Sequence, residues 1–130
     1  MDRVREFLKQ RGSAEHVVRG GLPGLVENWE RVVESVKRGY NLGLDDYLND
    51  MDGRQLLDEA LSLAKADQAY IERVRRADES MRRLVKPIVR SLWGEKNAKE
   101  HGWSAAKNWW YFAVPVKAGP ELADDLKEDY

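Results

Sequence analysis

Between residues 23 and 38, apolar side chains fall at Leu25, Val26, Trp29, Val32, Val33 and Val36. Steps of one, three, three, one and three draw a single stripe on a 3.6-residue period, which a strand cannot present to one side. Glu30, Arg31, Glu34 and Arg38 take the opposite face. Pro23 stands in the first turn, where a missing N–H costs little, and Gly39 supplies the stop. The spacing predicts a helix over 23–38 that must bury one side against other elements.

The same logic recurs along the chain. Val4, Phe7 and Leu8 mark a short amphipathic helix before Gly12. Ser13 is placed to cap a brief turn over 14–19, which Gly20 and Gly21 interrupt. Leu44, Tyr47, Leu48 and Met51 predict a short helix. A new one is expected at Asp52, because Asp52 and Gln55 have capping-box spacing ahead of Leu56, Leu57, Ala60, Leu61 and Ala64. Asp67 is placed to cap a long helix striped by Ile71, Val74, Met81, Leu84, Val85, Ile88 and Leu92, kinked or broken just before Pro87. Residues 95–100 read as one more polar turn of helix. Ser104 begins a short helix that passes into an extended arm over 108–116, where aromatic and β-branched residues cluster and Pro115 restricts any strand to an edge. The acidic residues from about 120 are expected to end in a frayed helix. The expectation is an all-α fold: one domain over 1–130, an irregular bundle of five or six helices with a C-terminal extended aromatic arm.

Composition narrows the chemistry. A chain of 130 residues can bury roughly two-thirds of its unfolded surface without a metal or disulfide. It has no cysteine, which removes thiolate ligands and thiol nucleophiles and fits a reducing, cytoplasmic setting. Charges in the first six residues interrupt any signal-like apolar run, and no stretch is apolar enough to span a membrane. A net charge of −1 lacks the basic excess of a general nucleic-acid binder.

Asp50, Asp52, Gly53 and Glu59 can be aligned on an EF-hand calcium loop, but Leu48 then takes the first ligand position and has no side-chain oxygen. Asp45, Asp46 and Asp50 belong to a wider acidic cluster over 45–59 that would suit a metal ion or acid–base work only inside a cleft. His16 and His101 each stand alone, without metal-ligand spacing, and no serine lies in a nucleophile elbow. Residues 20–24 are glycine-rich ahead of a helix but lack the lysine of a phosphate loop. No cofactor or metal site follows from the residues.

Two positive signals remain. Arg75, Arg82, Arg83, Lys86 and Arg90 share an arc of ~100° if their helix runs through, which would track phosphates or an acidic protein. Trp109, Trp110, Tyr111 and Phe112 stand consecutively, with Trp93 and Trp103 nearby. Neighbours in such a run point apart, so Trp110 or Tyr111 is expected to stay partly uncovered as an interface anchor, most simply between two copies of the chain. The functional expectation is therefore a non-catalytic interaction module that binds a protein partner or itself through the aromatic segment or the basic face. The alternatives are a small enzyme or ion-dependent protein built on the acidic cluster, with His16 or His101 contributing, and nucleic-acid binding by the basic face. Because Leu48 removes a core ligand, titration calorimetry with millimolar calcium should give no saturable heat. Micromolar affinity would show that the loop reading had been wrongly set aside.

Overall fold

The computed structural model describes residues 2–63 and 67–129, with side chains through 127. Helix α1 spans Arg3–Gln10 and begins where Asp2 Oδ1 accepts a 2.7 Å hydrogen bond from the Arg5 amide. Val4 and Leu8 bury its apolar side. Helix α2, Glu15–Lys37, is bent at Gly21, whose φ of 58° and ψ of −153° lie where only glycine is comfortable. The carbonyl of Arg19, freed by the bend, accepts from Arg5 Nε at 3.3 Å and Nη2 at 3.1 Å. Pro23 lies in the first turn after the bend, so the expected helix start survives as a kink. Ser13 is not the cap; Ala14 holds that place and gives no side-chain bond.

Helix α3, Leu44–Leu63, corrects the expected division at Asp52. Tyr47, Met51, Arg54 and Leu57 bury one continuous side across the expected break, and the Asp52 carboxylate is engaged elsewhere. The Leu44 amide donates to Asp125 Oδ2 at 2.9 Å, so the last helix caps the third. Ala64 lies outside the described residues.

Asp67 caps helix α4, Gln68–Leu84, accepting from the Ala69 amide at 3.0 Å. The helix then stops rather than kinking at Pro87. Val85–Pro87 forms strand β1, because the residue before a proline is driven from helical geometry and Val85 is β-branched. Strand β2, Ala113–Pro115, pairs with it antiparallel, setting Val85 against Pro115, Lys86 against Val114 and Pro87 against Ala113. The Val116 amide donates to the Leu84 carbonyl and the Ile88 amide to that of Phe112, both at 2.9 Å. Helix α5 covers Glu95–His101, and a 3₁₀ turn covers Trp109–Tyr111. Ser104 caps only a turn, through the Lys107 amide.

Helix α6 is Pro120–Asp129. Leu122 is fully buried, and Tyr40 and Ala118 form a parallel bridge that ties its start to the core. Gly119 allows that approach, since a Cβ there would stand 2.5 Å from the Tyr40 carbonyl oxygen. The architecture is the expected all-α bundle with a small sheet added: α2 packs against α1, α3 and α4.

A buried ion pair sits at the centre. Arg54, 5% exposed, donates from Nε to Asp78 Oδ1 at 3.0 Å and from Nη2 to Oδ2 at 2.8 Å. Trp29 Nε1 donates to the same carboxylate at 2.9 Å. The guanidinium lies 4.2 Å from the Trp110 ring centroid. Four elements, α2, α3, α4 and the 3₁₀ turn, thus meet at one charge-assisted contact. Asp78→Ala removes the two-bond partner of a buried cation, leaving only Asp58 at 3.8 Å, and should cost about 3–5 kcal/mol. Arg54→Met, which removes the cation and leaves Asp78 its Trp29 bond, should cost less. Denaturant midpoints that ranked the two the other way would remove the pair from this central role.

Candidate binding clefts

Helix α3 borders two adjoining clefts, divided by Asp52 and Leu56, which line both. The larger is about 710 Å³. Its walls come from the end of α1 (Arg11, Ser13), from α3 (Gln55, Glu59) and from the region after β1 (Trp93, Asn97, His101, Trp103, Tyr111). Asp52 Oδ1 accepts from Tyr111 Oη at 2.7 Å and from Trp93 Nε1 at 2.9 Å. Burial, then the bond to Asp52, pushes the Tyr111 phenol far above its ordinary range, so it remains a neutral donor. Arg11 Nη1 meets Glu59 Oε1 at 2.6 Å. Gln55 Oε1 accepts from Asn108 at 3.0 Å, and Asn108 Oδ1 accepts from the Ser104 amide.

One wall is a stack of three rings. Trp103 lies 4.5 Å from His101 and 4.2 Å from Tyr111, near parallel to both. His101 Nδ1 is 2.9 Å from the Asn97 carbonyl oxygen. A carbonyl only accepts, so Nδ1 is the donor in that bond. Trp93 is 38% exposed beside this stack.

The smaller cleft, about 440 Å³, runs between α2 and α3. It brings His16, Asn28 and Arg31 of α2 together with Asn49 and Asp50 of α3 over an apolar floor. Asp50 Oδ2 accepts from Tyr40 Oη at 2.5 Å. Burial raises the Asp50 carboxyl above the usual carboxylate range, the Tyr40 bond opposes this, and Asp46 adds to it.

The positions singled out in the sequence divide accordingly. Asp50 joins a cleft, whereas Asp45 and Asp46 are exposed on the first turn of α3 and line neither. No EF-hand loop forms around Gly53, because that segment is uninterrupted helix. Trp110 and Tyr111 correct the interface expectation, being only 2% and 1% exposed. The run is not extended at that point: the 3₁₀ turn directs both inward, onto Arg54 and Asp52. Trp109 and Phe112 are half-buried. Trp109 carries the Arg82 guanidinium 4.4 Å from its ring centroid.

The single basic helix face is corrected as well. Because α4 ends at Leu84, Lys86 stands on β1 and Arg90 in the loop that follows. Arg75 is neutralised by Glu72 and Glu79. Arg82, Arg83, Lys86 and Arg90 are exposed, and none forms an ion pair among the described residues. Arg11, Gln55, Asn97 and the Arg54–Asp78 pair are the participants that spacing did not reveal. They come from separate elements, so no local pattern joins them.

No protein-family model, no curated protein and no solved structure matches the chain. The clefts must therefore be read from their own chemistry. Since Trp110 and Tyr111 are core, Trp110→Ala should cost about 3–5 kcal/mol, and Tyr111→Ala a comparable amount. Thermal melts showing no loss for both would return them to the surface.

Proposed function

We propose that the protein is a non-catalytic interaction module that receives a cationic side chain of a partner protein in the larger cleft. The observation that carries this reading is the meeting of exposed aromatic surface with excess negative charge in one recess. Trp93, 38% exposed, offers its indole, and tryptophan is the strongest aromatic partner for a cation. Asp52 and Glu59 bring two carboxylates against the single guanidinium of Arg11. Asp52 Oδ2 accepts nothing from the described residues, whereas Oδ1 is held by two donors. The site is thus oriented before a ligand arrives, which reduces the ordering cost of binding. Its volume lies within the range of ordinary ligand sites.

A lysine or arginine side chain suits such a recess, since its aliphatic stem covers the rings while its head reaches the carboxylate. Catalysis is not part of the reading, because the polar groups of this cleft are bound to one another rather than aimed at a common reacting atom. A glycine-flanked peptide carrying one arginine should shift the Trp93 indole N–H resonance saturably and bind more weakly as salt rises. Trp93→Ala should lower its affinity about tenfold. An unmoved indole signal, or equal binding by a peptide with norleucine in place of arginine, would sink the reading.

A further inference from the structure

The smaller cleft differs from the larger in one respect that bears on ligands: its polar side chains are not spent on one another. His16, Asn28, Arg31 and Asn49 make no side-chain hydrogen bond or ion pair among the described residues. Arg31 and Asp50 line one recess, yet no ion pair joins them. Opposite charges that face a common space without closing on each other leave room for a group bearing both signs. Beside them lies an apolar floor of Val17, Leu25 and Leu56.

The backbone explains the shape. Helices α2 and α3 approach where Asn28 Nδ2 comes 3.4 Å from the position a Cβ would take on Gly53. A Cβ at Gly20 or Gly24 would meet nothing within 4 Å, so the α2 wall is bare and the space open. The bend at Gly21 redirects the start of α2, bringing His16 and Val17 to the same recess.

We propose that this cleft binds a free α-amino acid with an apolar side chain. Arg31 holds the carboxylate, Asp50 the ammonium, and the side chain lies on Val17, Leu25 and Leu56. Asn28 and Asn49 each bring both donors and acceptors to the backbone end of such a ligand. A guanidinium fits a carboxylate through two parallel hydrogen bonds. Asp50 keeps an oxygen for the ammonium, because Tyr40 uses only Oδ2. A half-buried carboxylate gains from an incoming cation, and the groups that act on Asp50 most strongly among the described residues, Tyr40 and Asp46, are phenolic and acidic. An acid without the ammonium, or an amine without the carboxylate, leaves one charge of the site unmatched.

Titration calorimetry on the whole chain with leucine, glycine, isocaproate and isoamylamine tests this. Leucine should bind at one site. Glycine, isocaproate and isoamylamine should each bind about tenfold more weakly or worse, for want of the floor contact or of one charge. Arg31→Gln should make leucine no better than isoamylamine, and Asp50→Asn should make it no better than isocaproate. Arg31 is exposed, and asparagine at 50 still accepts from Tyr40, so circular dichroism of both variants should match the parent. The proposal is overturned by an absence of saturable heat with millimolar leucine, by either half-analogue binding as tightly as leucine, or by both variants binding leucine as the parent does.

Discussion

Arg54 and Asp78 form the contact around which the helices are arranged. A cation 5% exposed is tolerable only if its charge is met, and here Nε and Nη2 are hydrogen-bonded while Nη1 has no hydrogen-bond partner among the described residues. Asp78 meets it through two parallel bonds and Asp58 stands 3.8 Å from Nη1, while the Trp110 ring covers one side of the guanidinium. Each of these demands fixes something else. Asp78 sets the rotation of α4 against α3, and its bond from Trp29 sets α2 against both. The need for an aromatic cover draws Trp110 inward, and with it the whole segment from the 3₁₀ turn to β2. A hydrophobic seam alone would tolerate small slips between helices; a bidentate pair in a low-dielectric interior does not.

The inward turn of Trp110 has a consequence for the larger cleft. Its neighbour Tyr111 follows it into the core and reaches Asp52, which also accepts from Trp93. Of the aromatic run that could have been an exposed adhesive strip, Trp110 is core and Tyr111 lines the recess. What stays open comes from other positions: Trp93, the His101–Trp103 pair and the free oxygen of Asp52. Asp52 and Leu56 form the ridge between the two clefts, so one helix supplies a wall to each.

The two clefts contrast in how their polar groups are used. In the larger, Arg11–Glu59, Asn108–Gln55 and the donors on Asp52 close a network before any ligand arrives. In the smaller, Arg31 and the two asparagines are held by helix geometry alone. The first arrangement favours a ligand that adds to an existing surface, the second one that completes unfinished bonds.

The helices that bury one stripe were legible from periodicity, because a 3.6-residue repeat of apolar side chains has no other way to leave water. The α2 stripe, the Asp67 cap and the stop near Gly39 depend on residues within a turn or two of one another. Three features escaped that local logic. Asp52 carries the spacing of a cap but serves Trp93 and Tyr111, which lie 41 and 59 positions away. Residues 85–87 continue a helical stripe, yet pair with residues 113–115 as strands. Trp110 and Tyr111 follow one another in an aromatic run expected to leave one of them partly uncovered, yet both are core. What the sequence by itself determined is the set of amphipathic faces and the helical class. Which polar residues are buried, which aromatics close the core and where the clefts lie were decided only by the tertiary structure. The reason is physical: a stripe needs only its own helix to be amphipathic, whereas a buried charge or a cleft exists only once distant segments have met.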